Sequence, residues 1–366
     1  MTATTIADTA RQNQRKRVIR SAQVAFSVAI VVAIFAYAIP KFANYGSVWA
    51  ILRTLTWPQL GLLAAATLFN LATYWAQLMA SLPGLTLGQA AVNNQTTTSI
   101  ANTVPGGGVI AVGVAFAMLR SWGFSLSAIT LSTLLTGIWN AFLKLALPIA
   151  AVAILVVTGS STVALLVPAL IGVAALVAAV VVFGLLMWKK EFAQRIGQAL
   201  GVAWSRLRRL VRKPPVTGWD QAAVRFRRQS NDLVARRWPA LTLTTLVSHL
   251  GLYLVFLLTI RLVGITATQV SWAEVLGIFS LGRLATAVPI TPGGVGVVEL
   301  TYIAGLVLAG GSPIRAMRSP LPCCFGCTYV LQIPLGGVTY LIWQRNKSWR
   351  KPVHPEPSSP VPALPA

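Results

Sequence analysis

Two runs of proline and glycine interrupt a chain that is otherwise poor in reactive groups. They are Pro105-Gly106-Gly107-Gly108 and Pro292-Gly293-Gly294, the second preceded by Pro289-Ile290-Thr291. Proline stops a helix, and glycine lets the backbone come close to a ligand. Where such a turn opens a new helix, the unpaired N–H groups of the first turn act together with the helix dipole. They make an anion site suited to a phosphate or a carboxylate. Arg283 and Glu299 lie to either side of Thr291 at equal sequence distance, about 12 Å away along a helix, so they can pair. Two readings fit. Arg283 engages an anionic headgroup while Glu299 releases it or takes up a proton, or the two form a permanent ion pair that fixes the turn. The candidate binding residues are Pro105, Gly106, Gly107, Gly108, Arg283, Pro292, Gly293, Gly294 and Glu299.

The other ionisable residues within apolar sequence are Arg120, Lys144, His249, Arg261 and Glu274. Lys144 stands mid-segment, where it lines a cavity or pairs inside the protein. His249 reads as a packed, hydrogen-bonded residue. Arg120, Arg261 and Glu274 stand near segment ends and reach an interface by snorkelling. His354 is the only other histidine, so neither a metal nor a cofactor is expected.

The elements that hold these residues follow from composition. Of 366 residues 55% are hydrophobic and only 10% charged, with a mean hydropathy of +0.70. Soluble domains carry about 25% charged residues, so the chain is expected to be an all-α polytopic membrane protein. A span needs about 20 apolar residues. Six segments qualify: 22–39, 58–81, 126–157, 162–188, 240–262 and 321–342, the third overlong and containing Pro148. The first reads as an uncleaved span rather than a signal peptide. Two further blocks, 93–119 and 273–311, break at the Pro-Gly runs, which makes eight hydrophobic blocks in all.

Charge sets the expected orientation. Of the 30 Lys and Arg, five fall in 11–20, thirteen in 189–237 and four in 345–351. Basic residues near span ends stay on the cytoplasmic side. With these three segments inside, the crossings balance only if 93–119 enters and leaves from the cytoplasmic face and 273–311 from the outer face. Each half then reads span, Pro-Gly re-entrant hairpin, span, and the halves form an inverted repeat of the kind found in secondary transporters. Ser99-Ile100-Ala101-Asn102-Thr103-Val104-Pro105 echoes Arg283-Leu284-Ala285-Thr286-Ala287-Val288-Pro289. Two Gly/Pro-kinked full spans are the alternative. The expected organisation is a basic N-terminus at 1–21, a membrane half at 22–188, a basic cytoplasmic linker at 189–239, a second half at 240–342 and a disordered tail at 343–366.

In the linker, Phe192, Ile196, Leu200, Trp204, Leu207 and Val211 recur at helical spacing between arginines. That pattern suits an amphipathic helix on an anionic leaflet. The net charge of +23 comes with no nucleic-acid-binding motif, so lipid is the expected partner. Cys323, Cys324 and Cys327 interrupt the last span in a Pro-rich run. Another reading frame of the permitted codons gives an apolar helix there, so a short compensated frameshift over 319–327 is expected and the cysteines carry no functional weight.

These motifs resemble the flippase-like family related to the membrane domain of lysylphosphatidylglycerol synthases. The resemblance rests on Pro289 to Glu299, on Asn102 to Gly108 and on the closing Gln332-Ile333-Pro334-Leu335-Gly336-Gly337. It implies a bacterial-type plasma-membrane protein acting on amphipathic lipids, with both termini cytoplasmic. The expected function is a flippase or transporter moving an anionic phospholipid or polyprenyl-phosphate-linked lipid between leaflets. A homo-oligomer or cell-envelope biosynthesis proteins are further partners that fit. There is no Gly-x-x-x-x-Gly-Lys-Ser/Thr loop, and the seven acids form no Asp-x-Asp pair, so no enzyme is expected. A membrane glycosyltransferase using polyprenyl-linked sugars and a non-transporting scaffold are the alternatives.

Overall fold

The computed structural model describes residues 53–103, 107–159, 163–210, 218–286, 297–310 and 332–351, without the side chains at 163–169, 207, 209, 210, 297 and 299. The expected span 22–39, the cysteine segment 319–327, most of the tail, and Pro105, Gly106, Pro292, Gly293 and Gly294 lie outside the described residues. The described residues form ten helices and no strand. In chain order they are α1 (Trp57–Ser81), α2 (Leu87–Thr103), α3 (Gly107–Ser121), α4 (Leu126–Val157), α5 (Val163–Trp188), α6 (Lys190–Leu210), α7 (Trp219–Leu262), α8 (Trp272–Ala285), α9 (Val297–Leu308) and α10 (Gln332–Arg345).

Local signals place the helix ends. Thr56 with Gln59, and Ser271 with Glu274, form capping boxes at the starts of α1 and α8, each satisfying two unpaired N–H groups. Ser125 accepts from the Ala128 N–H at the start of α4. Gly123 and Gly264, at φ 91° and 92°, turn the chain out of α3 and α7, a left-handed conformation that favours glycine.

Among the described residues, four helices are long and apolar enough to cross a membrane: α1, α4, Leu170–Trp188 of α5, and α7. The helices α2, α3, α8 and α9 have 17, 15, 14 and 12 residues. At about 18–26 Å each, none crosses a hydrocarbon core of about 30 Å alone. The expected boundary between linker and span at residue 239 is not a break. Pro239 is accommodated inside one 44-residue helix, α7, about 66 Å long.

The packing is organised by three pairings. α1 lies along α7, α2 packs on α10, and α8 packs on α4. The short helices also pair in sequence, α2 with α3 and α8 with α9. At the first hairpin, a Cβ on Gly107 would strike the Ile100 carbonyl oxygen. At the second, Gly282 faces Tyr302 and Gly305 faces Ile278 with no room for a side chain. Glycine is thus what lets both hairpins close.

Both ends of the α2–α3 hairpin meet the last turn of α10 and the chain that follows it. Gly88 faces the Trp349 indole, the Trp343 Nε1–H donates to Ser121 Oγ at 3.0 Å, and the Lys351 N–H donates to Ser121 O at 3.1 Å. The Trp122 and Trp349 rings meet edge-on at 5.8 Å. Ser81 and Ser132 hydroxyls bond at 2.7 Å, and the Ser127 hydroxyl donates to Gln229 at 2.7 Å. The end of α1, the start of α4 and the linker helices therefore share this end, called here the linker end. At the opposite end, Gly310 after α9 faces the Gln269 carbonyl just before α8.

In the linker, α6 packs on the first part of α7 through Ala193, Gly197, Gly201 and Ser205, all buried. A Cβ on Gly197 would come within 2.8 Å of Asp220 Cα, and one on Gly201 within 3.2 Å of Trp219. The expected apolar stripe lies one residue aside, and its Leu200 and Trp204 remain exposed. Arg227 and Asn231 donate to the last carbonyls of α5, at Trp188 (2.9 Å) and Met187 (3.1 Å). The linker helices are thereby fixed to the membrane helices.

Candidate functional site: three basic side chains from three helices

Near the opposite end, α4, α7, α8 and α9 close around an apolar core. Leu147 and Ala151 of α4, Phe256 and Ile260 of α7, Val275, Ile278 and Phe279 of α8, and Leu306 of α9 form it. Phe256 stacks against Tyr302 at 4.4 Å and near Phe279 at 5.9 Å. The connection from α7 to α8 is tied down by Arg261, whose guanidinium donates to the carbonyls of Ile265, Thr266 and Val270 at 2.8–3.0 Å. Its role is structural rather than interfacial. Glu274 likewise serves the start of α8, accepting from the Ser271 N–H at 2.7 Å and hydroxyl at 2.8 Å.

Further inward, each of the three neighbouring helices presents one basic side chain. Lys144 stands thirteen residues before the end of α4, His249 thirteen before the end of α7, and Arg283 eleven after the start of α8. A rise of 1.5 Å per residue puts all three at about 17–20 Å from the opposite end. They form one group: Arg283 acts electrostatically on both Lys144 and His249, and Lys144 on His249. Lys144 and Arg283 are half-buried, and His249 is 1% exposed.

The group is held from outside and unsatisfied within. The His249 Nδ1–H donates to the Thr245 carbonyl at 3.1 Å, which fixes the ring. Across the α1–α7 seam, the Asn70 amide donates to Ser248 O at 2.9 Å and the Gln77 amide to the Thr245 hydroxyl at 2.7 Å. Pro148 lacks the N–H that the Lys144 carbonyl would otherwise accept. By contrast, His249 Nε2 and Arg283 Nε are buried with no hydrogen-bond partner. The described carboxylates lie elsewhere, Glu274 at the start of α8 and Glu191, Asp220 and Asp232 in the linker. Cations at membrane depth are costly and mark functional sites. What this arrangement can do chemically is bind an anion.

The first hairpin is the neutral counterpart. Ser99, which the sequence echo aligns with Arg283, donates to Ile333 O at 3.1 Å. Thr96 and Thr339 share a bond at 2.9 Å, and Gly336 leaves no room for a Cβ beside Ser99 and the Gln95 carbonyl. Of the sequence candidates, Gly107 packs the hairpin, while Gly108 faces open space. Both stand at the start of α3, where free N–H groups are available. Glu299 is on α9, but its side chain lies outside the described residues, as do Pro105, Gly106, Pro292, Gly293 and Gly294, so the expected Arg283–Glu299 pairing falls outside them too.

Residues 24–336 match the family described as the lysylphosphatidylglycerol synthase TM region. The chain belongs to that family. No curated protein matches it. Within this member of the synthase TM-region family, sequence reasoning singled out Arg283 but placed Lys144 and His249 in the background. The signal was present, since both stand thirteen residues from the end of an apolar segment, but only the α4–α7–α8 packing turns equal depth into proximity.

Proposed function

We propose that the protein moves an anionic lipid between the leaflets of the plasma membrane, with its linker end and both termini on the cytoplasmic side. The observation that carries this reading is the basic group Lys144, His249 and Arg283 at one depth, His249 buried and the other two half-buried, with His249 Nε2 and Arg283 Nε unpartnered. The headgroup enters this group while the acyl chains stay in lipid, so no covalent chemistry is required. The apolar core around Phe256 and Phe279 is packed toward the end opposite the linker, which supports a state closed on that side, with the lipid entering from the cytoplasmic leaflet. Opening that core exposes the group to the other leaflet.

We read the two halves as an inverted repeat, which allows this alternation. The exchange of partners, α2 on α10 and α8 on α4 with α1 against α7 at the centre, is what a two-fold axis relating the halves requires. The ends of each short-helix hairpin lie together, which supports two re-entrant elements entering from opposite faces. The lipid gradient, an ion gradient or the membrane potential supplies the driving force. Purified protein in vesicles carrying a labelled anionic phospholipid tests the reading. Exchange between leaflets above that of protein-free vesicles is expected, and exchange at the protein-free rate with folded protein contradicts it.

A further inference from the structure

We infer that the headgroup taken by Lys144, His249 and Arg283 is a lipid phosphomonoester rather than a phosphodiester; the inference rests on the proposed function and narrows its substrate. The first argument is charge. Two side chains here are cationic, and no described carboxylate faces them. A phosphodiester brings one negative charge, whereas a phosphomonoester brings about 1.5–2 near neutral pH. As the dianion, the monoester neutralises both cations in a low-dielectric site, where an uncompensated charge is costly.

The second argument is the hydrogen-bond inventory. The Arg283 guanidinium fork spans two phosphate oxygens and the Lys144 ammonium reaches a third. A monoester has three terminal oxygens and a diester has two. The decisive group is His249. A carbonyl oxygen only accepts, so the bond to Thr245 O places the ring proton on Nδ1. The Ser248 hydroxyl donates its own proton to the same carbonyl at 3.0 Å, so towards Nδ1, at 3.5 Å, its oxygen can only accept, which agrees with a proton on Nδ1. The neutral ring then offers Nε2 as an acceptor, and that atom is buried and unpartnered. As the monoanion, a phosphomonoester instead carries an O–H that can donate to Nε2. The phosphate of a diester has neither the second charge nor that hydrogen near neutral pH. The elements packed around His249 supply Lys144 from α4 and Arg283 from α8 as charged neighbours, while α1 presents the uncharged Asn70 and Gln77.

The full-length protein, in vesicles and in detergent, is compared on three labelled lipids: a phosphatidic-acid type monoester, a polyprenyl monophosphate and a phosphatidylmethanol type diester, whose headgroup has no hydroxyl. Exchange is read in vesicles, and binding is read as thermal stabilisation in detergent. At least one monoester is expected to exceed the diester about tenfold in both readouts, the scale of one charge-assisted hydrogen bond. The two monoester arms tell which source is used. His249→Phe is expected to narrow the gap between monoester and diester binding, and wild-type selectivity decides the matter if that variant does not fold. Equal binding of monoester and diester by the wild type overturns the inference while leaving transport in place. Selective monoester binding without exchange of any lipid supports the site assignment and overturns the transport reading.

Discussion

The Asn70 amide donates to the Ser248 carbonyl oxygen at 2.9 Å, joining α1 to α7 one residue before His249. Gly251 makes the approach possible, because a Cβ there would already be 3.3 Å from the Asn70 amide nitrogen. The α7 carbonyl thus accepts a second bond from a neighbouring helix. The bond fixes the rotation of α7 about its axis and, with it, the direction of the imidazole. Asn70 does not belong to the basic group but positions one of its members.

Replacing it separates positioning from folding. Asn70→Ala is expected to cost about 0.6–1.7 kcal/mol, the range measured for hydrogen bonds between membrane helices. Thermal unfolding in detergent reads this as a small fall in Tm. Leaflet exchange is expected to fall several-fold more than that stability loss explains. An unchanged exchange rate would show that α1 does not orient His249.

The adjacent glycines at the start of α3 are expected to behave differently. Gly107→Ala drives a Cβ into the Ile100 carbonyl oxygen and within 3.0 Å of Ala101 O, so the α2–α3 hairpin must splay. A loss of roughly 1–3 kcal/mol is expected, as for overpacking of a close-packed contact. Gly108→Ala meets nothing within 4 Å and is expected to leave Tm unchanged. Tm values of the two variants side by side check both.

Re-entrance has its own readout. Leu87 and Arg120 are exposed at the two ends of the α2–α3 hairpin, and Trp272 and Leu308 at the ends of the α8–α9 pair. Single cysteines at Leu87 and Arg120 are expected to react with an impermeant thiol reagent from the linker side only. Cysteines at Trp272 and Leu308 are expected to react from the other side only. Labelling of Leu87→Cys and Arg120→Cys from opposite faces would mean full crossings and remove the inverted repeat.

Much of this architecture is legible in the sequence because proline and glycine act locally. The run at 105–108 separates α2 from α3, and the long apolar segments become α1, α4, α5 and α7. Where the reading differs, tertiary packing decides. Pro239 does not end a helix, since α7 runs through it. In α6 the eye is drawn to Phe192, Ile196, Leu200 and Trp204, yet the contact with α7 uses the small residues Ala193, Gly197, Gly201 and Ser205, which allow the two backbones to approach. His249 read alone is a packed histidine, and its Nδ1 bond to Thr245 agrees with that. Its unpartnered Nε2, and its place beside Lys144 and Arg283, depend on three helices far apart in sequence and so could not be read from any one of them.

The central claim is that the basic group carries an anionic headgroup across the membrane. Arg283→Gln tests it most directly, with exposed Arg120→Gln as the control for simple loss of a positive charge. Both variants and the wild type are reconstituted at equal density, and exchange of a labelled anionic lipid between leaflets is measured. Arg283→Gln, with wild-type expression and Tm, is predicted to exchange at the protein-free rate, while Arg120→Gln keeps the wild-type rate. Wild-type exchange by a correctly folded Arg283→Gln protein would contradict the account.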